Sequence, residues 1–400
     1  METTQKNILY YASLLIGAWL LGLAGESIYA PAMPSIATSL GTSDALIKLT
    51  VTFFIFGKTI SMFICSPIAE AFARRQFLLF GLSLFILGGL ICTFSPDIHI
   101  LLTGRLIQGL GVSITILMGR AIVNDRFENR YAAQVFSYIF TGNAIGIFIL
   151  PILGGYLATF LSWRWIFFIL TCYGAIVFIL LWWSLPKKNF QFSLEALKPS
   201  VIFNNYKTIT RNAPFWGFLL CVAFMMAGEK AYTTTAAFLF IKNIGLSRVE
   251  FGYLNAAMWA AHLSGTLVAG WLAFKWGIDR VLAIGILLIS ISSLVMLSAG
   301  FTGWDNIIVF GAAMLIYMLS TGLVIVPAAV GIVRPFPKLI GFATAFAMAM
   351  EFAIASVISY LISQHSSTVT PIERVVGTMG LLTLLAWVLL LRKTYLLHKE

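Results

Sequence analysis

The chain has 400 residues, 60% of them hydrophobic and only 10% charged, with a mean hydropathy of +0.94. These values lie far outside the soluble range and make lipid the solvent to reason about. A net charge of +11 would suit nucleic acid, but loop charges that fix topology explain it better, so no nucleic-acid partner is expected. Cys65, Cys92, Cys172 and Cys221 lie in or beside apolar segments without ligand-like spacing. They read as buried thiols rather than disulfides or metal ligands.

A helix needs about 20 apolar residues to cross a bilayer. That rule predicts twelve spans over residues 8–33, 45–68, 76–95, 98–124, 131–158, 162–185, 213–241, 247–274, 280–301, 303–332, 339–364 and 371–391. The first stretch is too long for a signal-peptide core and has no small-residue cleavage site, so it is expected to be retained. One sizeable polar interruption, residues 186–212, divides the chain into six-helix halves 1–185 and 213–400 and reads as a cytoplasmic linker. Lys and Arg number 17 on the side that carries both termini and 5 on the other, where Lys48 is counted, with 4 inside spans. Both termini are therefore expected to be cytoplasmic.

A short phrase occurs twice. Ala24-Gly25-Glu26-Ser27-Ile28-Tyr29 lies late in the first span, and Ala227-Gly228-Glu229-Lys230-Ala231-Tyr232 lies 203 residues later in the seventh. Each copy puts an acid in hydrocarbon, where ionised groups are costly and usually functional. Each also sets a Tyr three residues on, at the spacing that shares a helical face. The ends of the second and eighth spans, at 66–75 and 270–279, match at an offset of 204. Two landmarks at nearly one offset indicate six-helix repeats facing each other across a polar site.

Several stretches carry a family likeness. Ser66 to Arg75 keeps the acid Glu70 and the final Arg74 and Arg75 of the loop pattern G-x-L-x-D-R-x-G-R-R, without its glycines. The fourth span holds Arg105, Gln108, Gly109 and Gly111 as R-x-x-Q-G-x-G, followed by Arg120-Ala121-Ile122-Val123-Asn124-Asp125. The fifth holds Pro151, Gly154 and Gly155, similar to G-P-x-x-G-G with Leu150 for the first glycine. Residues 162–168 (Ser-Trp-Arg-Trp-Ile-Phe-Phe) complete the series. In this order the chain resembles the major facilitator superfamily, and within it the twelve-span drug:proton antiporters of the Bcr/CflA type. The resemblance implies an all-α membrane protein of twelve transmembrane helices in two pseudo-symmetric halves. It also implies a multi-pass antiporter of the bacterial inner membrane that exports small molecules in exchange for protons, and a monomer is expected. Bcr-like proteins carry an Asp two residues before the Tyr of the first span, where this chain has Ser27 with Glu26 beside it.

Candidate residues follow from depth and charge. Glu26 and Glu229 are candidates for proton coupling, the other reading of Glu26 being a constant salt bridge with Lys58 or Arg120. Lys58 stands mid-span, too deep for a lysine to snorkel out, so it faces a cavity or a counter-ion. Tyr29, Lys58, Arg120, Tyr232 and Glu351 are candidates for substrate contact, with aromatic packing and mutual neutralisation of the charges as alternatives. Glu229 and Lys230, being adjacent, are expected to point to different faces. His262 reads as a helix-packing hydrogen bonder or a proton relay. Glu70, Arg74 and Arg75 are expected to latch the second, third and eleventh spans. Arg105 and Gln108 are given a structural or proton-linked role. Gly109, Gly111, Pro151, Gly154 and Gly155 are given close helix approach and bending.

The chain has no phosphate-binding loop, H-E-x-x-H, G-x-S-x-G or Cys/His cluster at metal spacing, so no cofactor, metal or enzymatic reaction is expected. The reading is proton-coupled efflux by alternating access. The alternative is a transporter specific for a carboxylate-bearing metabolite such as a siderophore, favoured by the cationic residues.

Overall fold

The computed structural model describes residues 5–68, 73–185, 198–303, 306–337 and 339–391. Fourteen α-helices and no strands occur among them. They are α1 (Gln5–Ser27), α2 (Met33–Ser39), α3 (Asp44–Ile68), α4 (Arg74–Thr93), α5 (Ile98–Arg126), α6 (Asn129–Phe160) and α7 (Trp163–Ser184), then α8 (Pro199–Thr210), α9 (Ala213–Ala237), α10 (Arg248–Trp276), α11 (Ile278–Thr302), α12 (Ile307–Val333), α13 (Ile340–Ser363) and α14 (Val369–Ala386). Eleven spans among the described residues, with α1 and α2 counted as one, are long and apolar enough to cross a membrane; a twelfth comes from α8 and α9 taken together. This is the expected twelve-helix architecture.

Short polar side chains start several spans by accepting the first free backbone N–H groups. Asp97 accepts from His99 and Ile100, Asn212 from Phe215, and Asn306 from Ile308 and Val309. Gly303, at φ +71°, ends α11 in the left-handed conformation. The first span departs from prediction. It is broken at Ser27, passes through a 3-10 turn at Ala30–Ala32 and resumes as α2. Pro31 and Pro34 each lack a backbone N–H and so interrupt the α-helical ladder. The interruption at 186–212 also holds a helix, α8, which meets α9 at 81°.

The chain forms two compact units, Met1–Ile202 with Ser247–Ala256 and Phe203–Leu246 with Ala257–Glu400. In the first, α5 is the central helix, packed on α3 and α4. Glycine makes these contacts backbone to backbone. A Cβ on Gly57 of α3 would strike the Leu106 carbonyl, one on Gly109 of α5 the Phe54 carbonyl, and one on Gly111 the Gly81 carbonyl of α4. Phe85, Val112, Met118, Val177 and Leu181 fill the surrounding core. In the second unit α9 is enclosed by α12, α13 and α14. There α10 and α12 approach through Gly265, against the Leu319 carbonyl, and Gly322, against the His262 carbonyl.

Candidate functional site

Two charged clusters stand at matching places in the repeats. In the first unit, Lys58 Nζ of α3 donates to Glu26 Oε1 of α1 at 2.5 Å, with side chains 9% and 18% exposed. The Phe54 ring lies beside this pair, its centroid 5.8 Å from Lys58 Nζ. The wholly buried Arg105 of α5 meets the same ring, its guanidinium 4.2 Å from the Phe54 centroid and 4.3 Å from that of Tyr29. Arg105 Nη2 donates to the Gly25 carbonyl at 2.8 Å, and Nη1 to Gln108 Oε1 at 2.9 Å. Its Nε reaches the Thr50 carbonyl at 3.4 Å. One guanidinium thus ties together α1, α3 and α5 at the residue preceding Glu26.

In the second unit, Glu229 and Lys230 of α9 are both buried, and Lys230 Nζ lies 3.1 Å from Glu229 Oε1. The expectation that these neighbours point to different faces is corrected: flexible side chains on adjacent positions curl together when burial makes an isolated charge costly. Lys230 Nζ stands 6.0 Å from the Trp259 centroid, and Trp259 packs edge-on against His262 at 5.5 Å. His262 Nδ1 shares a 2.7 Å hydrogen bond with Thr321 Oγ1 of α12, and Glu229 and Lys230 lie within electrostatic reach of the ring. The correspondence with the first unit is positional. Glu229 follows Glu26 by 203 residues, and His262 follows Lys58 by 204. In each unit an acid from the first helix of the repeat is near a basic group from the second.

Several predicted site residues are placed differently. Tyr29 does not share a helical face with Glu26, because α1 ends at Ser27. It is buried, its hydroxyl 3.2 Å from Thr50 Oγ1 and its ring occupied by Arg105. Tyr232 is wholly buried between Phe240 and Phe310, and its hydroxyl has no hydrogen-bond partner among the described residues. Both tyrosines are packed in the interior in this structure. Arg120 lies over the Trp19 ring at 5.2 Å, two turns back along α1 from Glu26. Glu351 is buried in the middle of α13.

Of the predicted latch, the two arginines are described. Glu70 falls outside the described residues. Arg74 Nε pairs with Asp125 Oδ2 of α5 at 3.2 Å, and Arg75 Nη2 donates to the Trp182 carbonyl of α7 at 2.5 Å. These arginines open α4, and among the described residues the acceptors they meet belong to the fourth and sixth spans. The fifth-span motif packs as its small residues require. A Cβ on Gly154 would strike the Ile28 carbonyl, and Gly155 lies against the Arg248 carbonyl at the start of α10. Gly252 of α10 in turn lies against the Pro151 carbonyl, and Arg248 donates to the Ala158 carbonyl.

Sequence reading missed other buried polar groups. Lys48, counted as a loop charge, is buried within α3, and Glu373 is wholly buried in α14. It also missed Phe54, Thr50 and Phe167 around Arg105 and Trp259 and Thr321 around His262. For His262 a signal existed, the shared offset from Lys58.

Comparison with known proteins places this arrangement. Residues 14–360 match the family model described as Major Facilitator Superfamily. The "Uncharacterized MFS-type transporter YdgK" of Bacillus subtilis (strain 168) is 28% identical over 389 residues, covering 96% of each chain. The "Bicyclomycin resistance protein homolog" of Haemophilus influenzae (strain ATCC 51907 / DSM 11121 / KW20 / Rd) is 21% identical over 369 residues, 91% of each chain. A crystal structure of a D-xylose-proton symporter superposes with a TM-score of 0.73 at 17% identity, covering 95% of this chain and 97% of that one. With its twelve-helix fold and Bcr/CflA-like motifs, this chain belongs to the Major Facilitator Superfamily, a family of multi-pass membrane transporters of small molecules.

Proposed function

We propose that the protein exports small organic molecules in exchange for protons by alternating access, with Glu26 and Glu229 as the coupling acids. The observation that carries this reading is the buried 2.5 Å pair of Glu26 with Lys58. Removing one partner from a buried pair leaves a costly uncompensated charge, so the pair's two states differ by several kcal/mol. Ionised Glu26, poised by Lys58, is the form that holds a polar or cationic group of the solute. Protonation of Glu26 neutralises the carboxylate and releases that group, and loss of the proton restores the place for the next solute. Substrate and proton thereby compete for Glu26, as an exchanger requires. Glu229, beside Lys230 and within reach of His262, repeats the arrangement in the second unit.

Efflux is supported by the name of the H. influenzae relative and by Pro151, Gly154 and Gly155, which resemble the antiporter motif. Lys58, Arg120, Lys230 and Glu351 are proposed to set affinity. The Arg74, Arg75, Arg105 and Gln108 contacts, with Gly109 and Gly111, keep each packing surface intact as helices rock. The halves 1–185 and 213–400, with 186–212 between them, are the proposed moving bodies. The excess of Lys and Arg on one side supports cytoplasmic termini in the inner membrane of a bacterium, and a monomer is proposed. A second reading, transport of a carboxylate-bearing metabolite, rests on the buried cations Lys58 and Lys230.

The test is proton-gradient-driven accumulation in inside-out vesicles, wild type against Glu26→Gln, with antibiotics and carboxylate siderophores as solutes. Loss of gradient-driven accumulation with solute exchange retained is expected. Undiminished accumulation in the variant removes Glu26 from coupling. Accumulation by wild type only in right-side-out vesicles overturns export. A siderophore carried to the exclusion of antibiotics selects the second reading.

A further inference from the structure

We infer that α8 is a membrane-surface anchor that binds the phosphate headgroups of anionic lipids. At about 1.5 Å per residue its twelve residues extend roughly 18 Å, well short of the ~30 Å hydrocarbon core. It meets α9 at 81°. With Ala213–Asn243, α9 and the π-helical turn that continues it, as the spanning part of this bent pair, α8 runs nearly parallel to the membrane surface.

The corner between them is built to hold this angle. Trp216 Nε1 donates to the Thr210 carbonyl at 2.8 Å, and Asn212 caps α9 by accepting from Phe215 N at 2.9 Å. The inner face of α8 is fixed by Tyr206, whose ring meets Phe342 at 4.7 Å and Phe346 at 5.2 Å on α13, and by the wholly buried Ile209.

The outer face has a different chemistry. Phe203 is 65% exposed, an unusual position for an aromatic ring on a helix bearing Asn204, Asn205, Thr208 and Thr210. Lys207 follows it by four residues and shares its face. Exposed basic residues stand at the start, middle and end of the segment as Lys198, Lys207 and Arg211, and residues 198–212 contain no acid. An exposed ring beside long basic side chains on an in-plane helix suits the boundary where acyl chains meet headgroups. Exposed Lys207 on α8 and Arg211 just after it, with Lys198 just before it, complement a phosphate surface. A soluble peptide partner would leave the perpendicular corner and the exposed Phe203 unexplained.

The experiment uses the full chain purified with its lipids and analysed by native mass spectrometry against phosphatidylglycerol and phosphatidylcholine. Wild type is expected to retain phosphatidylglycerol preferentially. At about fivefold per surface cation, the triple variant Lys198→Gln/Lys207→Gln/Arg211→Gln should lose that preference by more than tenfold. Lys207→Arg should keep it, and unchanged thermal melting in detergent will show that the triple variant is folded. If the triple variant misfolds, Lys207→Gln alone decides, with a fivefold loss expected. Unchanged lipid preference in the folded variants overturns the assignment. Displacement of bound phosphatidylglycerol by inorganic phosphate also overturns it, by showing a site for free anions. Capture of a soluble protein by α8 in place of lipid does the same.

Discussion

Glu26 of α1 and Lys58 of α3 meet at 2.5 Å although 32 positions separate them in the chain. Because both are largely withdrawn from solvent, each keeps the other from being an isolated buried charge. Glu26→Leu or Lys58→Met alone should therefore destabilise the protein by roughly 3–5 kcal/mol, whereas the double substitution should recover most of that loss. Denaturation of the four proteins in one detergent gives the double-mutant cycle. Additive losses would mean that the pair contributes nothing as a unit.

Arg105 has a fork that no other cation reproduces. It reaches Gly25, Gln108 and Thr50 while stacked near Tyr29 and Phe54. Arg105→Lys keeps the charge but not the planar geometry. It should lose at least one charged hydrogen bond, about 1.5–3 kcal/mol, and transport should fall with it. Equal melting temperatures for Arg105→Lys and wild type would refute this account of the residue.

Glycines at helix seams and on free faces should behave oppositely. Gly109→Ala drives a Cβ into the Phe54 carbonyl, while Gly270 has nothing within 4 Å of where a Cβ would lie. The first substitution should cost about 1–3 kcal/mol from overpacking. The second should be neutral or gain up to about 1 kcal/mol from helix propensity. Folded yield and melting temperature measured on the two variants side by side provide the check.

His262 faces Glu229 and Lys230 of α9 and is held by Thr321 of α12. His262→Gln can keep a hydrogen bond to Thr321, so stability should change by no more than about 1 kcal/mol. The dependence of transport on pH should nevertheless flatten if the ring exchanges a proton during the cycle. A pH profile that superimposes on wild type would assign His262 to packing alone.

The twelve spans were legible because hydrocarbon imposes a length and a composition that few other solvents do. The repeated Glu phrase was legible for a related reason: acids are rare enough in apolar helices to stand out. What stayed hidden depended on backbone course and side-chain reach. Tyr29 was aligned with Glu26 by a period that stops at Ser27. Lys230 was sent away from Glu229 by a rule about Cβ directions, although the two long side chains meet beyond their Cβ atoms. Arg74 and Arg75 found Asp125 and Trp182, partners that follow only from how α4, α5 and α7 pack. The linker helix was hidden by its polarity, since an in-plane helix needs no long apolar run.

The glycine seams that join α3 and α4 to α5 bear on how such a protein can evolve. At Gly57, Gly109 and Gly111 the neighbour is main-chain carbonyl, which no compensating side-chain change can trim. These positions are closed to gradual mutation, so new solute preferences must arise on other surfaces. On the proposed reading the neighbourhood of Glu26 and Lys58 is such a surface, one that can diversify while the seams hold the helices in register.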